Sequence, residues 1–267
     1  MTVHSEFRPA VVVVGASRGI GRAIAKVAAR ERNVVVLVAR SPEGLAAAAL
    51  DVQQSGGEAF TLELDLCAAD ASGYLEAFLT ANNLVCAVLV NSAGHGLRGP
   101  AASLPTSDQL GIIDLNIRAL ADMTLRFLPG MLARGRGGVI NLGSIAGFVP
   151  GPYMALYYAS KGFVRSFSDA LHQEVYRFGV TVTCVAPGPV STEFLERSGA
   201  NRAALFKILP RLDADYVAER AWSGFKSGHR CVVPGISAKL MTLVVAFLPT
   251  AALLPLIGRL QRRSQDP

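Results

Sequence analysis

A chain of 267 residues that is 51% hydrophobic and 17% charged carries enough apolar material for one large domain or two small ones around a substantial core. Its net charge of +6 is scattered among acidic residues, without a basic run or aromatic–basic interleaving. That argues against nucleic acid as a partner and fits a phosphate-bearing ligand or an anionic membrane surface.

The first segment, MTVHSEFRPA, has no cationic region followed by a long apolar stretch, so no signal peptide is expected. AVVVVGA (10–16) is β-branched and bounded by Gly15, and reads as a buried strand. GIGRAIAKVAARER (19–32) has helical periodicity, and VVVLVA (34–39) is a second strand. SPEGLAAAALDVQQSG opens on a Ser-Pro cap signal and continues as a helix. AFTLELDL (59–66) is a third strand, followed by a helix to about Asn82, and VCAVLVNSAG (85–94) is a fourth. Helical stretches at 106–120 and 121–134 lead to a fifth strand, GGVINLGS (137–144). A long helix from Tyr157 to Phe178, a sixth strand VTVTCVAPG (180–188) and a seventh, RCVVPG (230–235), follow. Such alternation implies an α/β fold: parallel strands covered by helices on both faces, doubly wound. The expected layout is one domain over 1–235 with a seven-stranded, mostly parallel sheet, an irregular insertion near 190–212, and an apolar helical extension over 236–267.

Cys67, Cys86, Cys184 and Cys231 form no C-x-x-C pair. They read as small buried residues of a reducing compartment, not a disulfide framework or a zinc site. His95, His172 and His229 show no ligand spacing, so no metal is expected.

The first strand runs into VVVGASRGIG, with Gly15, Gly19 and Gly21 spaced G-x-x-x-G-x-G. Gly15 permits a tight turn, Gly19 lets backbone approach a pyrophosphate, and Gly21 lets helix pack on strand. The helix N-terminus then faces the phosphates with free N–H groups. The second strand ends in Ala39 and Arg40, with no carboxylate at its tip to bind a ribose 2′-hydroxyl. Arg40, with Arg18 from the turn, suits a 2′-phosphate, so NADP(H) is favoured over NAD.

LYYASK (156–161) sets two tyrosines beside a lysine. Tyr157 and Lys161 are i,i+4, Tyr158 and Lys161 are i,i+3, and helix geometry lets either pair meet.

These residues together resemble the short-chain dehydrogenase/reductase family over roughly 10–235. GASRGIG, with Ser17 and Ile20, is similar to its cofactor turn. LDL, with Asp65 and Leu66, resembles the segment at the adenine. NSAG, with Asn91, Ala93 and Gly94, resembles its fourth-strand motif. PGPVST, with Pro187, Gly188, Val190 and Thr192, resembles the loop at the nicotinamide carboxamide. LNIRA, GSIAG and YYASKG supply Asn116, Ser144 and the Y-x-x-x-K pair. The family's tyrosine stands four residues before the lysine and about a dozen after the serine, a spacing that selects Tyr157. Tyr158 is left to packing, or to a substrate or subunit surface.

The resemblance implies a Rossmann-type domain that interconverts a ketone and a secondary alcohol by hydride transfer. Tyr157 is the general acid in reduction and the general base in oxidation. Lys161, with the charge of oxidised nicotinamide, is expected to lower the Tyr157 pKa from its ordinary value of about 10. Ser144 stabilises the substrate oxygen. Lys161 also binds the nicotinamide ribose, and Asn116 helps hold a water that relays protons to it. The family often forms dimers or tetramers through its long central helices, a contact that the tail can block. One departure is Val14, where the family often has threonine; a hydrogen bond inside the fold is expected to be missing.

The tail, from Leu240 to Gly258, is uncharged, with Lys239 before it and Arg259, Arg262 and Arg263 after it. Three readings compete: a pair of helices in a membrane interface, a lid or subunit interface, and a true span, which Pro249 and Pro255 weaken. The first gives a cytoplasmic protein held peripherally, through 240–263, on the inner face of a membrane. Either of the first two places an apolar wall at the substrate mouth. The expected substrate is therefore a hydrophobic carbonyl or alcohol such as a long-chain 3-oxoacyl lipid, a polyketide-like ketone or a steroid. The alternatives are a small polar 3-hydroxy acid, or a non-catalytic NADP(H)-binding sensor or scaffold. A sensor has no need of Asn116, Ser144, Tyr157 and Lys161 together.

Overall fold

Alternate residues of the first strand, β1 (Arg8–Val14), serve two cores, as a period of two requires: Val11 and Val13 face one, Ala10, Val12 and Val14 the other. The computed structural model describes residues 7–199 and 210–261. With β2 (Val34–Ala39), β3 (Glu58–Glu63), β4 (Leu84–Asn91), β5 (Gly137–Leu142), β6 (Val180–Val185) and β7 (Cys231–Val232), β1 forms one sheet in the order β3-β2-β1-β4-β5-β6-β7. Every pairing is parallel, where a mostly parallel sheet was expected.

Helices α1 (Gly19–Arg30) and α2 (Pro42–Gln54) cover one face, together with α8 (Ala214–Lys226). Helices α3 (Ala71–Ala81), α5 (Leu120–Arg134) and α6 (Ala155–Val175) cover the other. The strand order reverses between β1 and β4, and there the carboxyl ends of the strands open a crevice. Several strands stop short of the runs read from sequence. Ala93–Gly94, Asp65–Leu66 and Pro187–Gly188 leave the sheet at its carboxyl edge and turn into that crevice.

Two helices expected at 106–120 and 121–134 are one continuous rod. α4 (Thr106–Ile113) passes through a π-helical stretch, Asp114–Ala119, into α5. Within the insertion read near 190–212, residues 200–209 lie outside the described residues; its first part holds a short helix, α7 (Phe194–Arg197), and Val190 bridges to Leu212 near its end.

The tail is a pair of twelve-residue helices, α9 (Ile236–Phe247) and α10 (Thr250–Gln261). The break comes at Leu248, extended at φ −93° and ψ 133°. Pro249 imposes this, since proline disfavours helical backbone in the residue before it. Among the described residues no helix is long and apolar enough to cross a membrane, which removes the reading of the tail as a single span. Pro255 stays inside α10 without ending it. Arg262 and Arg263 lie outside the described residues.

Candidate active site

The loop after β1 turns through Gly15, at φ +81°. A Cβ there would lie 2.5 Å from the Ala93 nitrogen at the end of β4. At Gly21 a Cβ would lie 2.4 Å from the Gly15 carbonyl oxygen, so α1 packs on the turn only because both positions are bare. No acidic residue sits in the first turn of α1, and no side chain caps it. Its free N–H groups and positive dipole end are open to an anion.

One cavity of about 1330 Å³ runs from this turn along the crevice. Gly15, Ser17, Arg18, Gly19 and Ile20 line it, then Arg40, Asp65 and Leu66, then Ala93 and Gly94. Ser144, Tyr157 and Lys161 follow, with Pro187, Gly188, Val190 and Thr192 opposite. A glycine cradle that any Cβ would fill, an open helix N-terminus and a cation at the tip of β2 fit a dinucleotide with a phosphorylated ribose.

Three of the expected residues do not line the cavity. Gly21 works through packing alone. Asn91 points into the core: its Nδ2 donates to Thr124 Oγ1 at 3.0 Å and to Asn141 Oδ1 at 2.8 Å. Asn116 is buried in the π-helical stretch, hydrogen-bonded within the protein. Its Nδ2 donates to the His95 carbonyl at 2.9 Å and to Ser160 Oγ at 3.0 Å, and its Oδ1 accepts from the His95 N–H at 3.0 Å. Ser160 Oγ donates in turn to the Tyr157 carbonyl at 2.7 Å. Asn116 thus ties the loop after β4 to the turn of α6 that carries the tyrosine.

The missing threonine at position 14 has a visible counterpart. Val14 is paired in register with Asn91, and both side chains face α5. Asn91 Oδ1 is buried without a hydrogen-bond partner among the described residues. Val14→Thr is expected to raise stability by about 1 kcal/mol, since a hydroxyl of equal volume meets an orphaned acceptor; urea unfolding of the two proteins measures it.

Tyr157 and Tyr158 are both buried and differ in their partners. The Tyr157 ring packs 5.3 Å from Phe194, and the Ser144 side chain, which accepts from the Ala146 N–H at 3.1 Å, stands close enough to its hydroxyl to favour the phenolate. The Tyr158 hydroxyl accepts from Gln261 Nε2 at 2.6 Å. Gln261, at the end of α10, is fully buried, and its carbonyl accepts from the Arg98 guanidinium. Tyr158 therefore anchors the tail.

Burial dominates the electrostatics of the Tyr157–Lys161 pair. Burial pushes the Tyr157 phenol up to about 12, and the neighbouring Ser144 hydroxyl only tempers this. Burial also brings Lys161 down to about 8. The Lys161 ammonium donates to the Leu142 carbonyl at 2.7 Å and stands 5.8 Å from the centre of the Tyr157 ring. Desolvation is the larger cause in the protein by itself, whereas the expected lowering counts the charge of oxidised nicotinamide beside that of Lys161. Tyr157 stays protonated at neutral pH.

The two arginines expected at the ribose differ. The Arg18 guanidinium pairs with Glu193 at 2.5 Å, whereas Arg40 makes no ion pair among the described residues. Sequence reasoning missed Ser41, which also lines the cavity; its position beside Arg40 in the Ser-Pro cap signal marked a helix start only. It missed Arg98 and Gln261 as well, whose meeting nothing local announces.

Residues 9–203 match the family model of the short chain dehydrogenases. The chain belongs to that family. It is 37% identical over 174 residues to a very-long-chain 3-oxoacyl-CoA reductase of Laccaria bicolor, covering 64% of this chain and 52% of that one. It is 34% identical over 183 residues to the ketoacyl reductase HetN of Nostoc sp., covering 68% and 63%. The chain thus spans less than two thirds of these relatives' lengths. Among solved structures, a short-chain dehydrogenase from Sphingobium yanoikuyae in complex with NADPH superposes with a TM-score of 0.78 at 28% identity, covering 97% of this chain and 98% of that one. Coverage that complete takes in tail helices as well as the sheet.

Proposed function

We propose that this short-chain dehydrogenase is an NADP(H)-dependent ketoreductase acting on a hydrophobic 3-oxoacyl substrate. One observation carries the reading. The cavity that begins at the glycine turn passes the Ser144–Tyr157 pair and ends against an apolar wall of Met241, Val245, Leu253 and Ile257 from the tail. Its 1330 Å³ exceeds the range of about 300–1,000 Å³ usual for one small ligand, leaving room for a long chain beside a dinucleotide. The names of the relatives and the NADPH complex of the structural neighbour support it.

NADPH, when bound, supplies the hydride. The protein's share is to place a carbonyl oxygen against the hydroxyls of Ser144 and Tyr157 and to deliver a proton. A phenol held near 12 is protonated at working pH and still far more acidic than an alcohol, so it can give its proton to the forming alkoxide. Lys161, in its charged form, stabilises the phenolate left behind. Gly15, Ser17, Gly19, Ile20 and the α1 N-terminus would hold the pyrophosphate. Asp65 and Leu66 would hold the adenine, and Arg40, beside Ser41, the 2′-phosphate. Lys161 and the 187–192 loop would hold the nicotinamide end.

The four thiols are unpaired, which supports a reducing, cytoplasmic compartment. The half-exposed Leu110 and Leu125 on α4 and α5 support a homodimer or homotetramer through the central helices. The exposed apolar side chains of the tail support a peripheral position on a membrane.

The test is turnover of 3-oxoacyl thioesters of increasing chain length with NADPH. The expected result is a rise in kcat/KM of about fourfold per methylene, from about 0.8 kcal/mol per buried group, until the wall is filled. A flat or falling series would favour the small polar 3-hydroxy acid instead. In the same assay Arg40→Ala is expected to raise the NADPH KM by about 10- to 100-fold, the loss of a charge-assisted contact, and to leave NADH within about threefold.

The pH profile follows from Lys161. Its pKa lies near 8 because burial disfavours the charged form. Reduction needs that charge, so kcat/KM is expected to be level below pH 7 and to fall tenfold per unit above about 8. Tyr157, titrating near 12, leaves no second step between. A profile level to pH 10 would remove the lysine's charge from the reaction.

A further inference from the structure

The tail helices are apolar on both faces. Inward, they wall the active-site cavity. Outward, Ile236, Leu240, Leu243 and Phe247 follow one another at intervals of four, three and four residues, which places them in one stripe along α9. They are 86%, 60%, 58% and 81% exposed, against the usual economy of a soluble surface. Between the two faces stand Val244, Leu248 and Leu256. Each lines the cavity, and each is also 49%, 44% or 55% exposed. The cavity that holds Tyr157 therefore opens onto the apolar surface, beside the turn at Pro249. The far end of α10 cannot serve as a mouth, because Gln261 is locked to Tyr158 and Arg98.

We propose that the outer face of the tail seats on an anionic phospholipid bilayer, and that an acyl substrate passes from the bilayer between Val244, Leu248 and Leu256 into the active site. The second half rests on the function proposed above; the first does not. Charge favours a bilayer over a second copy of the chain. Residues 236–261 contain no Asp or Glu, and their two charges, Lys239 and Arg259, are exposed cations. Two copies meeting through this face would set cation against cation with no carboxylate in the segment to answer. Anionic headgroups around an inserted apolar stripe supply that counter-charge. A second copy would also seal the rim through which the cavity opens.

The test uses the full chain and sucrose-gradient flotation with vesicles of phosphatidylglycerol and phosphatidylcholine, or of phosphatidylcholine alone. The protein is expected to float with the anionic vesicles and about tenfold less with the neutral ones. The double variant Leu243→Asp, Phe247→Asp alters two exposed side chains that do not line the cavity. It is expected to stay at the bottom of the gradient, to melt as the parent does, and to reduce a short water-soluble ketone at the parent's rate. Long-chain 3-oxoacyl substrate presented in anionic vesicles is expected to be reduced about tenfold more slowly by the variant, and equally fast when presented in detergent. Failure of the parent to float, or flotation that survives in the variant, overturns the docking. A dimer of the parent that the variant dissolves overturns it in favour of a second copy. Equal rates of both proteins on vesicle-borne substrate overturn the route. Loss of all ketone reduction in both proteins, with flotation intact, would strike the proposed function alone.

Discussion

Tyr157→Phe is expected to lower kcat for ketone reduction by about 10³-fold and to leave NADPH affinity within about twofold. The substitution removes one oxygen from a ring whose packing against Phe194 is otherwise kept. What goes is the proton for the alkoxide and the hydroxyl beside Ser144. Tyr158→Phe is the internal control. It removes an equally buried hydroxyl from the next residue, but that hydroxyl faces Gln261. Its expected cost is about 1 kcal/mol of stability, with turnover of a short ketone unchanged. Steady-state kinetics and cofactor fluorescence on both variants measure this. Equal losses of turnover in the two would mean that the chemistry is not assigned to one tyrosine.

The contrast also marks where sequence stopped being informative. Helix geometry left both tyrosines open, and motif spacing chose between them. Neither contains the partner of the other: Tyr158 meets Gln261 across 103 residues, and Arg18 meets Glu193 across 175. Contacts of that reach depend on how the tail and the loop after β6 fold back over the crevice, which no local pattern encodes. The strands were legible because β-branched runs such as VVVLVA have no other stable use than a sheet buried on both faces. Their ends were not, because Ala93 or Pro187 leaves the sheet only where the crevice opens beside it. The surroundings of Lys161 were hidden for a related reason. The sequence shows a cation one turn from a phenol, but not that both are buried or that the Leu142 carbonyl takes up the ammonium. The π-helical stretch that orients Asn116 has no marker in DLNIRA either; it is visible only as a register change within an otherwise continuous helix.

Gly15→Ala tests the cofactor turn with the second large effect. Two separate costs fall on this position. The backbone is at φ +81°, which costs an L-residue about 1–2 kcal/mol. The added Cβ would stand 2.5 Å from the Ala93 nitrogen and 2.7 Å from its Cα, and both are main-chain atoms at the end of a central strand. Neither side yields easily: Val14 is paired with Asn91, and the Gly15 N–H donates to the Val38 carbonyl at 2.8 Å. The turn must open at the reversal point of the sheet, where the pyrophosphate would lie. The expected outcome is a loss of about 2–4 kcal/mol in stability and an NADPH Kd raised about 100-fold or more, as the turn's N–H groups lose their aim. Gly56→Ala separates the two costs. Gly56 has φ +93° in the turn after α2, and a Cβ there would meet nothing within 4 Å. It carries the backbone cost alone, so it is expected to lose about 1 kcal/mol and no cofactor affinity. Thermal melts and NADPH titrations of the two variants check the difference. If Gly56→Ala weakened NADPH as much as Gly15→Ala, backbone strain and not the close approach of β1 to β4 would be shaping the phosphate site.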